Sequence, residues 1–166
     1  EGYAAVSSRR VAQELSINAA TVHYYYATTD DLFTALYKRM TKGQLEALSA
    51  VLSSSNPLEN LWNYQLEGNQ SALGIEFVAL SNHRKVMQPI IASVANEARQ
   101  SQAEALAPVL ASMGIDETLL PPLAVATIIV AITRTLKNEE RIGFTVGHDE
   151  VRAFCQNILL GLPKAN

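Results

Sequence analysis

Apolar residues recur at intervals of three and four along nearly the whole chain, and this regularity excludes most folds. Val151, Phe154, Cys155, Ile158, Leu159 and Leu162 fall on one side of a helix. Leu58, Leu61, Trp62, Gln65, Leu66 and Asn69 form a second stripe that turns polar at its end. A half-buried strand would need strict alternation, which is missing, so the chain is expected to be all-α. Helices are predicted near 7–15 and 18–26, then from about Asp30 to Leu52 with Leu32, Leu36, Met40, Leu45, Leu48 and Leu52 inward. Thr28 and Asp31 have the spacing of a reciprocal cap for that long helix. Pro57 suits a first helical position. Further helices are predicted over 71–82 and 84–113, from about Asp116 to Glu140, and after a loop at 141–149. Pro108 is expected to bend the helix over 84–113, and Met87, Ile90, Ile91, Val94 and Ala98 share its inner face.

Several function classes drop out on composition. One cysteine in 166 residues excludes an internal disulfide and fits a reducing, cytoplasmic setting. The most apolar run, residues 123–132, is too short to span a bilayer, so no membrane partner is expected. His23, His83 and His148 are scattered, and no carboxylate pair, nucleophile–base spacing, glycine-rich phosphate loop or metal cluster stands out. The chain is read as a non-enzyme without cofactor or metal. Net charge is −3, but residues 1–42 hold five Lys/Arg against four Asp/Glu while the rest hold eight against twelve. That asymmetry weakly favours an anionic partner for the N-terminal part.

The informative stretch is SSRRVAQELSINAATVHYYYATTDDLF, residues 7–33. Val11 and Leu15 would point inward from one short helix, Ala12 is small where a second helix crosses, and Ile17 fills the turn. Val22, Tyr25 and Tyr26 would point inward from the second helix, which is the helix-turn-helix pattern. Thr21, His23 and Tyr24 must then face outward. Asn18 is a natural N-cap, and small Ala19 and Ala20 let the helix end approach base edges, as a recognition helix requires.

With those residues in place, segment 8–40 resembles the signature of the tetracycline-repressor (TetR) family. The resemblance implies an all-helical homodimer that represses transcription from a pseudo-palindromic double-stranded operator. By that resemblance, Thr21, His23 and Tyr24 would contact phosphates or base edges, Ala19 and Ala20 would lie against bases, and Asn18 would cap the helix. Ser7, Arg9 and Arg10 match positions that often anchor the DNA backbone. Three departures stand out: Ser16 occupies a turn position that usually holds glycine, Thr29 replaces a frequent lysine, and the family's first helix would precede Gly2.

Two domains are expected, a helix-turn-helix domain over 1–42 lacking its first helix and a helical effector-binding and dimerisation domain over 43–166. Trp62, Gln65, Leu66 and Asn69 either bond to neighbouring helices or line a cavity. Phe77, Met87, Ile91 and Val94 fit core as well as pocket wall. Thr127 and Arg134 lie on the apolar penultimate helix, where Arg134 can meet an anionic effector or pair with Glu139 or Glu140. These ten residues form the expected effector set, for a small and mostly apolar molecule. Val151, Phe154, Cys155, Ile158 and Leu159 are the expected dimer interface. The competing reading is a helical small-molecule sensor that never touches DNA.

Overall fold

The computed structural model describes residues 5–67 and 72–160, with eight α-helices and no strand among them. In order these are α1 (Ser8–Glu14), α2 (Ala19–Tyr25), α3 (Thr29–Leu52), α4 (Pro57–Glu67), α5 (Ala72–His83), α6 (Met87–Ser112), α7 (Pro122–Arg141) and α8 (His148–Cys155). A π-helical turn, Gln156–Leu160, extends α8. The all-α expectation holds.

Local chemistry explains where most helices begin. At α3, Thr28 Oγ1 accepts from the Asp31 N–H at 3.1 Å, and Asp31 Oδ2 accepts from the Thr28 N–H at 2.8 Å. This is the reciprocal cap that the sequence spacing requires. Pro57 and Pro122 stand at first helical positions, where a missing N–H removes nothing. The helix expected from Asp116 therefore begins six residues later. Residues 116–120 instead form a turn in which Asp116 Oδ1 accepts from the N–H and hydroxyl of Thr118, at 2.8 and 2.7 Å.

Three helix ends share one device. After α1, α6 and α7, a residue in the left-handed region donates to a carbonyl three residues back, and its successor donates five residues back. The pairs are Ser16→Gln13 with Ile17→Ala12, Gly114→Ala111 with Ile115→Leu110, and Gly143→Glu140 with Phe144→Glu139. This is the Schellman motif, which places a positive φ at its penultimate residue. Gly114 and Gly143 meet that demand with φ of 71° and 77°. Ser16 sits at 54° and is the one non-glycine residue with positive φ among those described.

The chain divides into two compact units, residues 1–44 with 70–95 and residues 45–69 with 96–166. α3 and α6 each contribute to both. In the first unit, Phe33 and Tyr37 of α3, Phe77 and Leu80 of α5 and Met87 of α6 form the buried core. The rings meet edge-on, with Tyr37–Phe77 centroids 5.0 Å apart and Phe33–Phe77 6.4 Å apart. The leucine stripe expected on α3 is thus displaced: Leu36 is exposed, and the inner face runs through Phe33, Tyr37, Thr41 and Leu48. Two apolar stripes compete on α3, and the aromatic one wins because Phe77 completes it.

In the second unit Leu58, Leu61 and Trp62 of α4 pack with Leu106 and Leu110 of α6 and with Val125, Ala126 and Ile129 of α7. Leu48 of α3 and Cys155 of α8 join them. The end of α7 is tied to α8 by His148 Nε2 with Glu139 Oε2 at 2.9 Å and by an Arg152–Glu140 ion pair. Both glutamates expected as partners for Arg134 are therefore engaged by α8.

Two predictions follow from these elements. Ser16→Gly should stabilise the folded protein by about 0.5–1 kcal/mol, the strain relieved exceeding the entropy that glycine loses on folding. Urea denaturation measures this, and a lower midpoint would contradict a strained Ser16. Cys155 is fully buried, and burial pushes its thiol pKa up. It should resist an aromatic disulfide reagent at pH 8 in the native protein and react at the rate of unfolding in urea.

Candidate nucleic-acid interface

Two capped helices of seven residues each build the N-terminal surface. Ser7 Oγ accepts from the Arg10 N–H at 3.2 Å and starts α1. The left-handed turn at Ser16 ends α1 and redirects the chain at once. Asn18 Oδ1 then accepts from the Ala20 N–H at 2.8 Å and starts α2. α1 and α2 pack against each other, with Ala12 and Val22 buried. A larger side chain at Ala12 would force the helices apart.

The outward face of α2 is as the helical geometry requires. Thr21, His23 and Tyr24 are exposed, and Tyr24 retains 83% of its surface. Asn18 and Ala20 are exposed and Ala19 is half-buried. Ser7, Arg9 and Arg10 at the start of α1 are exposed as well. All nine residues of the expected DNA set therefore belong to these two helices and their caps.

The inward face differs from expectation. Tyr25 is 70% exposed, Leu15 62% and Ile17 44%, whereas each was expected to point inward. Val11 and Tyr26 are half-buried. The reason for the tyrosines is where α2 stops. Tyr26 has φ −134° and ψ 98°, so the helix ends at Tyr25 and the 3.6-residue stripe ends with it. The sequence held a signal for this: the cap at Thr28 leaves no room for another turn. Tyr25 instead sets its ring edge-on to Tyr24, with centroids 5.1 Å apart. The pair presents two phenol groups side by side, each able to donate to a phosphate or a base edge.

Asp31 is engaged in the cap of α3. Asp30 forms an ion pair with Arg84, whose guanidinium also lies 5.3 Å over the Phe33 ring. Arg9 and Arg10 on α1 and Lys38, Arg39 and Lys42 on α3 are exposed. Surface cations of this kind set register on a duplex and make binding depend on salt.

The expected effector residues fall in both units. Trp62 and Gln65 are buried in the second unit, and Leu66 packs beside them. Phe77, Met87, Ile91 and Val94 belong to the core of the first unit, around Phe33 and Tyr37. Thr127 and Arg134 are exposed on α7, and Asn69 lies outside the described residues. The expected dimer stripe also separates. Cys155 is fully buried among core residues of the second unit, and Val151 is half-buried. Phe154 and Ile158, one turn apart, are 58% and 50% exposed, and the side chain of Leu159 lies outside the described set. A helical stripe in sequence is wide enough to contain both a core edge and a surface edge.

Among the described residues no cluster of three or more His, Cys, Asp or Glu could hold a metal ion. No helix among them is long and apolar enough to cross a membrane.

Residues 1–36 match the family model described as bacterial regulatory proteins, tetR family. No curated protein and no solved structure matches the chain. The matched segment contains α1, the left-handed turn, α2 and the capped start of α3, which is where the exposed Thr21–Tyr24 face is built. That match and the all-helical fold support a TetR-type DNA-binding transcriptional regulator.

Proposed function

We propose that the protein is a homodimeric repressor that leaves its operator when the helical body takes up a small, mostly apolar effector. The observation that carries the DNA-reading part is the face of α2, where Thr21, His23 and Tyr24 stand exposed on a short helix capped by Asn18. Such a helix is narrow enough for a major groove, and its hydroxyl and imidazole groups can meet base edges or phosphates. Arg9 and Arg10, with Ser7, would anchor the backbone.

Dimerisation is supported by Phe154 and Ile158, which leave two large apolar side chains in water on the last helix. A twofold pairing through that helix buries them and sets two α2 helices on half-sites one helical turn, or a multiple, apart.

Coupling would run along α3 and α6, because each helix contributes to both units. The Arg84–Asp30 ion pair joins the turn before α6 to the first turn of α3, close in sequence to α2. An effector that favours one placement of α6 would thereby bias the start of α3 and the spacing of the recognition helices. It must bind the two arrangements with different affinity, since tight binding alone shifts nothing.

The test is fluorescence anisotropy with duplex DNA from the promoter nearest the protein's own gene. Binding should be sequence-selective and should weaken steeply from 50 to 200 mM salt. Tyr24→Ala should weaken it roughly tenfold while unfolding energy stays within about 0.5 kcal/mol. Val22→Ala should instead cost about 1.5 kcal/mol of stability. Absence of binding at low salt would leave the DNA-independent sensor as the better reading. Phe154→Glu with Ile158→Glu should convert a sedimenting dimer to monomer and lower operator affinity with it. An unchanged dimer would place the interface elsewhere.

A further inference from the structure

The second unit has a cleft of about 530 Å³ between α6 and α7, lined by Asn96, Glu97, Arg99, Gln100, Leu123 and Thr127. It adjoins a nearly wholly apolar groove that shares Leu123 and Thr127 and continues over Ala124 and Ile128. Arg99 lines the polar part, and its Nη1 is buried without a hydrogen-bond partner. A buried, unpartnered guanidinium nitrogen is costly and rare in a folded protein. Burial lowers the Arg99 pKa, and the positive charge of Arg134 lowers it further.

Glu139 and Glu140, the carboxylates nearest in sequence to Arg134, are held by His148 and Arg152. Glu97 lines the same cleft as Arg99 and is exposed. A buried, unpartnered guanidinium nitrogen beside an apolar groove is an arrangement that a neutral apolar ligand would leave uncompensated. A carboxylate can accept two parallel N–H groups from one guanidinium while its charge offsets that of the cation.

We propose that this cleft binds a small amphipathic carboxylate, with its anionic group at Arg99 and its hydrocarbon part along Leu123 and Ile128. The inference rests on the effector reading above and names the chemical class of that effector. It replaces the four first-unit residues Phe77, Met87, Ile91 and Val94 with an α6–α7 site.

The experiment uses the full chain with octanoate as probe and octanamide, its neutral match in length, as comparison. Calorimetry should show octanoate binding at least roughly tenfold more tightly than octanamide. Arg99→Gln should remove that preference, and Arg99→Lys should retain part of it. Urea midpoints of the variants confirm that each is folded, and Arg99→Lys, which keeps the charge, keeps the test open if Arg99→Gln is not. Equal binding of the two probes, or a preference unaffected by both Arg99 variants, overturns the proposal. So does a change in oligomeric state on Arg99→Gln without any octanoate preference, which would assign Arg99 to a carboxylate of a second copy. Operator release is read separately by anisotropy. Arginine-dependent octanoate binding without release upholds the anion site and defeats the effector reading, whereas release by octanamide alone does the reverse.

Discussion

The presentation of α2 depends on a backbone demand met at Ser16. α1 must end abruptly for α2 to cross it closely over Ala12, and the Schellman motif achieves this by placing one residue in the left-handed region. Glycine satisfies the same demand after α6 and α7, so the serine is an exception within its own chain. Once the turn is fixed, Asn18 caps α2 immediately and Val22 fills the contact with α1. Thr21, His23 and Tyr24 are then left facing outward. The exposed face is thus a consequence of the turn rather than a separate feature.

A second constraint is continuity. α3 and α6 are the two long helices, of 24 and 26 residues, and each serves two cores with different chemistry. At its start α3 contributes Phe33 and Tyr37 to an aromatic cluster, and further along it contributes Leu48 to an aliphatic one. α6 passes from Met87 in the first cluster to Leu106 and Leu110 in the second. A helix resists bending, so displacement at one part is carried to the other. This is the physical basis on which the proposed effector coupling stands.

Charge placement follows a related pattern. The acidic groups at the start of α3 are engaged, Asp31 with Thr28 and Asp30 with Arg84, while the basic side chains on α1 and α3 are exposed. At the end of α7, Glu139 and Glu140 are engaged by α8. Arg99 Nη1 is left buried without a hydrogen-bond partner in the α6–α7 cleft, which is the ground for the anion proposal.

The sequence by itself determined the features that depend on neighbours along the chain. The all-α class, the Thr28–Asp31 cap, the Asn18 cap, proline at the start of α4 and the positive φ at Ser16 are all local, because each involves residues at most four apart. The outward side of α2 was legible for the same reason. Tertiary structure decided which of several apolar stripes became core. It buried Phe33 and Tyr37 in place of Leu36, because Phe77 arrives from α5. It left Tyr25 in solvent, because α2 stops before a further turn can cover it. It drew Cys155 inside while Phe154 stayed out. Helical periodicity specifies that a face is apolar, but only the arrival of a distant partner determines what that face touches.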